Sequence, residues 1–135
     1  IERANGLTVP AWQAEELTKV VEFIHNNTSP QEVVFTFPEL GTINFLADRP
    51  FLSRFPIVTF SWWKDIWFEE LFMELKEVRP RFIIMTHPGH RTFPAEWYFR
   101  YKKNIDKFNR MTNYILEHYT PIRSFESVAI YQLNN

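Results

Sequence analysis

Cysteine is absent, and with it go disulfides, thiol nucleophiles and cysteine-ligated metal sites. Glycine is scarce, with only three residues in 135. Neither G-x-G-x-x-G nor G-x-x-x-x-G-K-[ST] occurs, so there is no glycine-rich phosphate cradle. No G-x-S-x-G nucleophile elbow is present, and Asp48, Asp65 and Asp106 stand apart without an obvious paired carboxylate. The formal net charge is −1, which excludes an overall basic field of the kind that binds nucleic acid. No stretch approaches the roughly 18 to 20 consecutive apolar residues that span a bilayer. The opening Ile1-Glu2-Arg3 is not signal-like, and it lacks a methionine. The expectation is a processed or excised piece whose membrane segment or targeting signal lies upstream.

Aromatic residues are abundant. They make up 18% of the chain, with 14 Phe, 5 Trp and 5 Tyr. Hydrophobic residues reach 45% and charged residues 23%, the balance of a folded protein rather than a disordered one. The length suits one domain over residues 1–135, large enough to bury a core without staples.

Val9 to Asn27 reads as a helix, with Pro10 in its first turn and Leu17, Val20, Val21 and Ile24 at i, i+3, i+4 and i+7. Glu32 to Phe37 is a short, almost continuously apolar strand, as expected for one buried on both faces. A short helix follows over Glu39 to Ala47, then a proline-bearing loop over Asp48 to Phe55. Pro56 to Phe60 reads as a second strand. Trp62 to Val78 carries a helical stripe at Phe68, Leu71, Phe72 and Leu75 and stops at Pro80. Arg81 to Thr86 is a third strand, Ile105 to His118 a further helix, and Pro121 to Phe125 with Val128 to Leu133 a terminal antiparallel hairpin. The order predicts an α/β fold. It would be a three-layer sandwich around a mostly parallel, Rossmann-like sheet with its first three strands parallel, closed by the hairpin.

In an open parallel sheet, ligands bind beyond the carboxyl ends of the strands. Those ends nominate Glu39, Trp62, Trp63, His87, His90 and Arg91, although such loops also serve as plain surface connections. His87-x-x-His90 has the residue type for a metal, with Glu39 or Glu96 as a third ligand, but Pro88 and Gly89 make the spacing a turn and ordinary loop histidines fit as well. Trp62, Trp63 and Trp97 are the candidates for a sugar-stacking platform. Arg91 to Lys103 mixes aromatics with cations, which fits either a membrane-surface segment or a helix with its rings turned inward. Asn26-Asn27-Thr28 and Asn27-Thr28-Ser29 match the N-x-[ST] acceptor pattern.

Several segments carry a resemblance to a family. They are Glu16 to Ile24 followed by Asn27-Thr28-Ser29-Pro30; Val33 to Glu39; Phe45-Leu46-Ala47-Asp48-Arg49-Pro50 with Ser53-Arg54-Phe55; Pro80 to Met85; and Tyr119 to Tyr131. In this order they resemble the soluble C-terminal domain of GT-C-type membrane glycosyltransferases, which take sugars from polyprenyl-phosphate carriers. The resemblance implies a non-catalytic, extracytoplasmic accessory domain, tethered by upstream transmembrane helices and contributing to acceptor or lipid-linked sugar binding. Its partner would be the transmembrane portion of the same polypeptide. The catalytic acid would lie in that membrane half, so no catalytic residue, metal or cofactor is assigned here. Arg49, Ser53 and Arg54 match the family's Arg-Pro/Ser-Arg loop, and the arginines would either touch phosphate or brace the loop. The alternative is a free-standing extracytoplasmic carbohydrate- or protein-binding module.

Overall fold

The structure is a computed structural model and describes residues 5–6, 8–59, 63–87 and 100–135. Helix α1 spans Ala11–Asn27 and is followed by strand β1, Phe35–Phe37. Helices α2, Gly41–Ala47, and α3, Asp65–Val78, come next, then strand β2, Phe82–Thr86. Helix α4, Lys102–His118, leads into β3, Tyr119–Ser124, and β4, Val128–Leu133. Local chemistry sets the helix ends. Pro10 precedes the first turn of α1, where its missing N–H costs nothing. Asp48 and Arg79 end α2 and α3 in the left-handed conformation, and Pro80 bars any continuation.

The sheet has the order β1-β2-β4-β3. β1 pairs parallel with β2, Phe35 opposite Ile83, while β2–β4 and β4–β3 are antiparallel. This is an α/β fold with a mixed sheet, and the terminal hairpin forms where its sequence predicts it. The expected mostly parallel sheet does not form, because two of its three strand pairings are antiparallel. Residues 56–59 are not a strand. Pro56 has no N–H to give a ladder, and the segment lies across the start of α2 instead, where a Cβ on Gly41 would collide with the Pro56 carbonyl. It is tied to the end of β1 by the Glu39 N–H, which donates to the Val58 carbonyl at 3.2 Å.

Period-two alternation sorts the strand residues onto two faces. Phe35, Phe37, Ile83, Met85, Ala129 and Tyr131 join one core cluster with Phe68, Leu71 and Leu75 of α3 and Met111 and Ile115 of α4. Phe82, Ile84, Val128 and Ile130 join the other with Val20, Val21 and Ile24 of α1 and Ile43, Leu46 and Ala47 of α2. The aromatic excess fills the first cluster: Phe37 stacks on Phe108 at 5.5 Å and Phe68 on Phe72 at 5.8 Å. β3 is an exposed edge, with only Tyr119 buried, and Pro121 and a register shift before Arg123 protect it from adding a further strand. Among the described residues, no helix is long and apolar enough to cross a membrane.

Candidate functional site

α1 ends where the chain turns towards β1, so its N-terminal half lies beside the carboxyl ends of β1 and β2. α2 leaves from that same edge. Between these elements is a cleft of about 440 Å³, within the ordinary range for small-molecule sites. Trp12, Leu17 and Val20 of α1 form one wall, and Leu40, Thr42 and Ile43 the other. Glu39 and Thr86 stand at the strand ends, and Ser127 and Val128 enter from the hairpin turn.

The cleft's electrostatics are one-sided. Among the described residues its lining includes the carboxylates of Glu16 and Glu39 and no Lys, Arg or His. Glu16 is buried and committed. Its carboxylate accepts the Ser127 N–H at 2.7 Å and the Ser127 hydroxyl, fastening α1 to the β3–β4 turn. Glu39 is exposed, holds a left-handed backbone with φ 54°, and follows the cis peptide Phe37–Pro38. Thr86 is only 4% exposed and lines the cleft at the end of β2.

Of the residues nominated from sequence, Glu39 and His87 do meet at the carboxyl edge, at the ends of adjacent parallel strands. His87 is bonded to the hairpin turn. Its Nε2 lies 3.1 Å from the Phe125 carbonyl and 3.0 Å from Ser124 Oγ, and its backbone N–H bonds the Ser127 carbonyl at 2.9 Å. A carbonyl only accepts, so Nε2 carries the proton of that bond. Trp63 is not a stacking platform. It is 8% exposed and packs on Phe55 at 4.5 Å within the α3–α4 core. Trp62, His90 and Arg91 lie outside the described residues, as do Trp97 and most of the Arg91 to Lys103 segment. Among the described residues, no group of three His, Asp or Glu side chains is arranged to hold a metal ion.

The two loop arginines brace. Arg49 donates from Nε to Thr28 Oγ1 at 2.8 Å, and to the carbonyls of Thr28, Ala47 and Asp48 at 3.1 Å each. It thereby ties the C-terminal ends of α1 and α2 at the far end of the sheet from the cleft. Arg54 forms a two-pronged pair with Glu70 at 2.7 and 2.9 Å and lies over the Phe55 ring. The hydrogen bond from Arg54 holds the Glu70 carboxyl below its usual range. Ser53 Oγ accepts the Phe55 N–H at 3.1 Å, a local turn contact.

No protein-family model matches this chain, and no curated protein matches it in sequence.

Sequence reasoning missed Trp12, Glu16, Thr42, Thr86 and Ser127. Thr86, the last residue of a buried apolar strand beside the nominated His87, carried the one local signal. The others meet only once α1 docks against α2 and the hairpin.

Proposed function

We propose that this chain is a soluble extracytoplasmic accessory domain of a GT-C-type membrane glycosyltransferase. It is not catalytic by itself and contributes to binding of the acceptor or the lipid-linked sugar. Its body is a three-layer α/β arrangement, and its partner is the transmembrane portion of the same polypeptide. The observation that carries the reading is the cleft beyond the carboxyl ends of β1 and β2, a concave, mixed apolar and hydroxyl-lined site of about 440 Å³. The ordered segments that resemble the family frame it: α1, β1, β2 and the hairpin each supply part of the wall. The bracing role of Arg49 and Arg54 shifts the expected ligand contact from the arginine loop to this cleft. Because α1, α2, the strand ends and the hairpin turn of this one chain line the cleft, a free-standing extracytoplasmic carbohydrate- or protein-binding module is the second reading.

The test is made on the protein encoded by the native gene. Membrane fractionation and a glycosyl-transfer assay with a polyprenyl-phosphate sugar are run with and without residues 1–135. The accessory-domain reading expects membrane association and a loss of transfer on deletion. A gene with no membrane-spanning segments, or transfer that is indifferent to the deletion, refutes it.

A further inference from the structure

We infer that the α1–α2 cleft binds an uncharged pyranose through its ring face and hydroxyls, and does not bind the phosphate of a lipid-linked donor. The inference rests on the accessory-domain reading of this cleft and gives its ligand a chemical class. Three observations carry it.

The first is charge. Phosphate sites are built from Arg, Lys or converging backbone N–H groups. This cleft presents two carboxylates and no cationic side chain among the described residues. A phosphate entering it would lose hydration and meet repulsion.

The second is the polar inventory. Thr86, 4% exposed, lines the cleft, and a threonine hydroxyl can both donate and accept. Thr42 and the exposed Glu39 carboxylate have no side-chain partner among the described residues and line the same cleft. The Ser127 hydroxyl has given its proton to Glu16 but can still accept. Hydroxyls that donate and accept, with one free carboxylate acceptor, match sugar hydroxyls, which also do both.

The third is the apolar lining. Trp12 on the α1 wall and Leu40 on the α2 wall set apolar surface beside these polar groups. A pyranose combines the same two characters, with C–H groups on its faces and hydroxyls at its rim. A small organic cation would use the indole and Glu39 but leave the hydroxyls of Thr42 and Thr86 unmatched.

The experiment is a backbone-amide NMR titration of the 135-residue chain with methyl pyranosides of gluco, manno and galacto configuration. Inorganic phosphate and tetramethylammonium are run as separate arms. At least one pyranoside is expected to move the amides of Thr42, Thr86 and Ser127, while phosphate leaves them in place. Thr86→Val, which keeps the side chain's shape, is expected to weaken that binding about 3- to 10-fold, the loss of one neutral hydrogen bond. Glu39→Gln, on the surface, is the second variant should Thr86→Val fail to fold. Phosphate or tetramethylammonium shifting the cleft amides more strongly than every pyranoside overturns the inference, as does a pyranoside affinity unchanged by both variants. If deletion abolishes transfer yet no pyranoside reaches the cleft, this inference falls and the accessory reading stands. If a pyranoside binds the cleft yet transfer ignores the deletion, the accessory reading falls and the sugar site stands.

Discussion

Asn44 is the polar centre of the α2 face, and its replacement tests how β1, α2 and the following loop are held together. The side chain is 1% exposed. Its amide donates to the Val34 carbonyl at 2.8 Å and to the Pro50 carbonyl at 3.2 Å, and its oxygen accepts the Thr36 hydroxyl at 2.7 Å. Asn44→Ala removes all three bonds and strands a buried hydroxyl. At about 1 kcal/mol net per bond, with some extra for the orphaned groups, the expected loss is about 3 kcal/mol. With an m-value of about 1.5 kcal/mol/M in urea, the midpoint followed by tryptophan fluorescence falls by about 2 M with the slope unchanged. Asn44→Asp sharpens the test. Its carboxylate has no proton for the two carbonyls and would sit buried against them, so its pKa rises in the folded state. A raised acid pKa means the folded state takes up the proton first. The penalty is therefore full at neutral pH, shrinks as pH falls through the raised folded value, and is gone once the unfolded chain is protonated too. Below about pH 4, the protonated acid can again donate one bond while accepting from Thr36. Asn44→Ala within about 0.5 kcal/mol of the parent, or an Asn44→Asp deficit that stays flat with pH, refutes the reasoning.

Arg49→Ala severs four hydrogen bonds to the ends of α1 and α2 and is expected to cost about 2 kcal/mol in urea unfolding. Arg54→Ala, which breaks an exposed pair with Glu70, is expected to leave the melting temperature without measurable change. Burial and the neighbouring charges of Glu70 and Glu77 push the Glu74 carboxyl above its ordinary 4.5, and its Oε2 has no hydrogen-bond partner. Glu74→Gln should therefore stabilise by roughly half a kcal/mol at pH 7, a gain that vanishes below the ordinary value, where both states of the parent are protonated. Gly41→Ala forces a methyl into the Pro56 carbonyl and is expected to lower stability by about 2–3 kcal/mol by thermal melt.

Helices α1 and α3 were legible because each carries a local stripe with a local stop. Val20, Val21 and Ile24, and Phe68, Leu71 and Leu75, are buried as their spacing predicts, and Pro80 ends α3. The hairpin was legible because its two strands are neighbours in sequence. Strand order was not. β4 is inserted between β2 and β3, and that choice is made by side chains from across the sheet, Ile84 against Ile130 and Ile83 against Tyr131. Pro56 to Phe60 failed as a strand because a β-rich composition describes a half-buried extended chain equally well. Val58 and Thr59 are indeed buried, but against α2 and the α3 core rather than in a ladder.

The candidate site shows the same division between local and assembled signals. Arginines and histidines stand out in a sequence because their chemistry is carried by one side chain, and loops at strand ends advertise them. In the folded chain, Arg49, Arg54 and His87 spend that hydrogen-bonding capacity on carbonyls and on Glu70, closing helix ends and the hairpin turn. The cleft takes its character from residues that are individually bland, a tryptophan and a carboxylate on α1, threonines at the start of α2 and the end of β2, and a serine in the turn. Glu16 and Ser127 are 111 positions apart and become a pair only when α1 lies against the hairpin. Docking α1 therefore does two things at once: it buries the Val20–Ile24 stripe, and it brings Trp12 to the cleft that Thr86 also lines. A substitution that loosens that docking, such as Glu16→Ala, should weaken ligand binding at the cleft and amide protection in the β3–β4 turn together. A loss of binding with the turn still protected would separate the site from the fold.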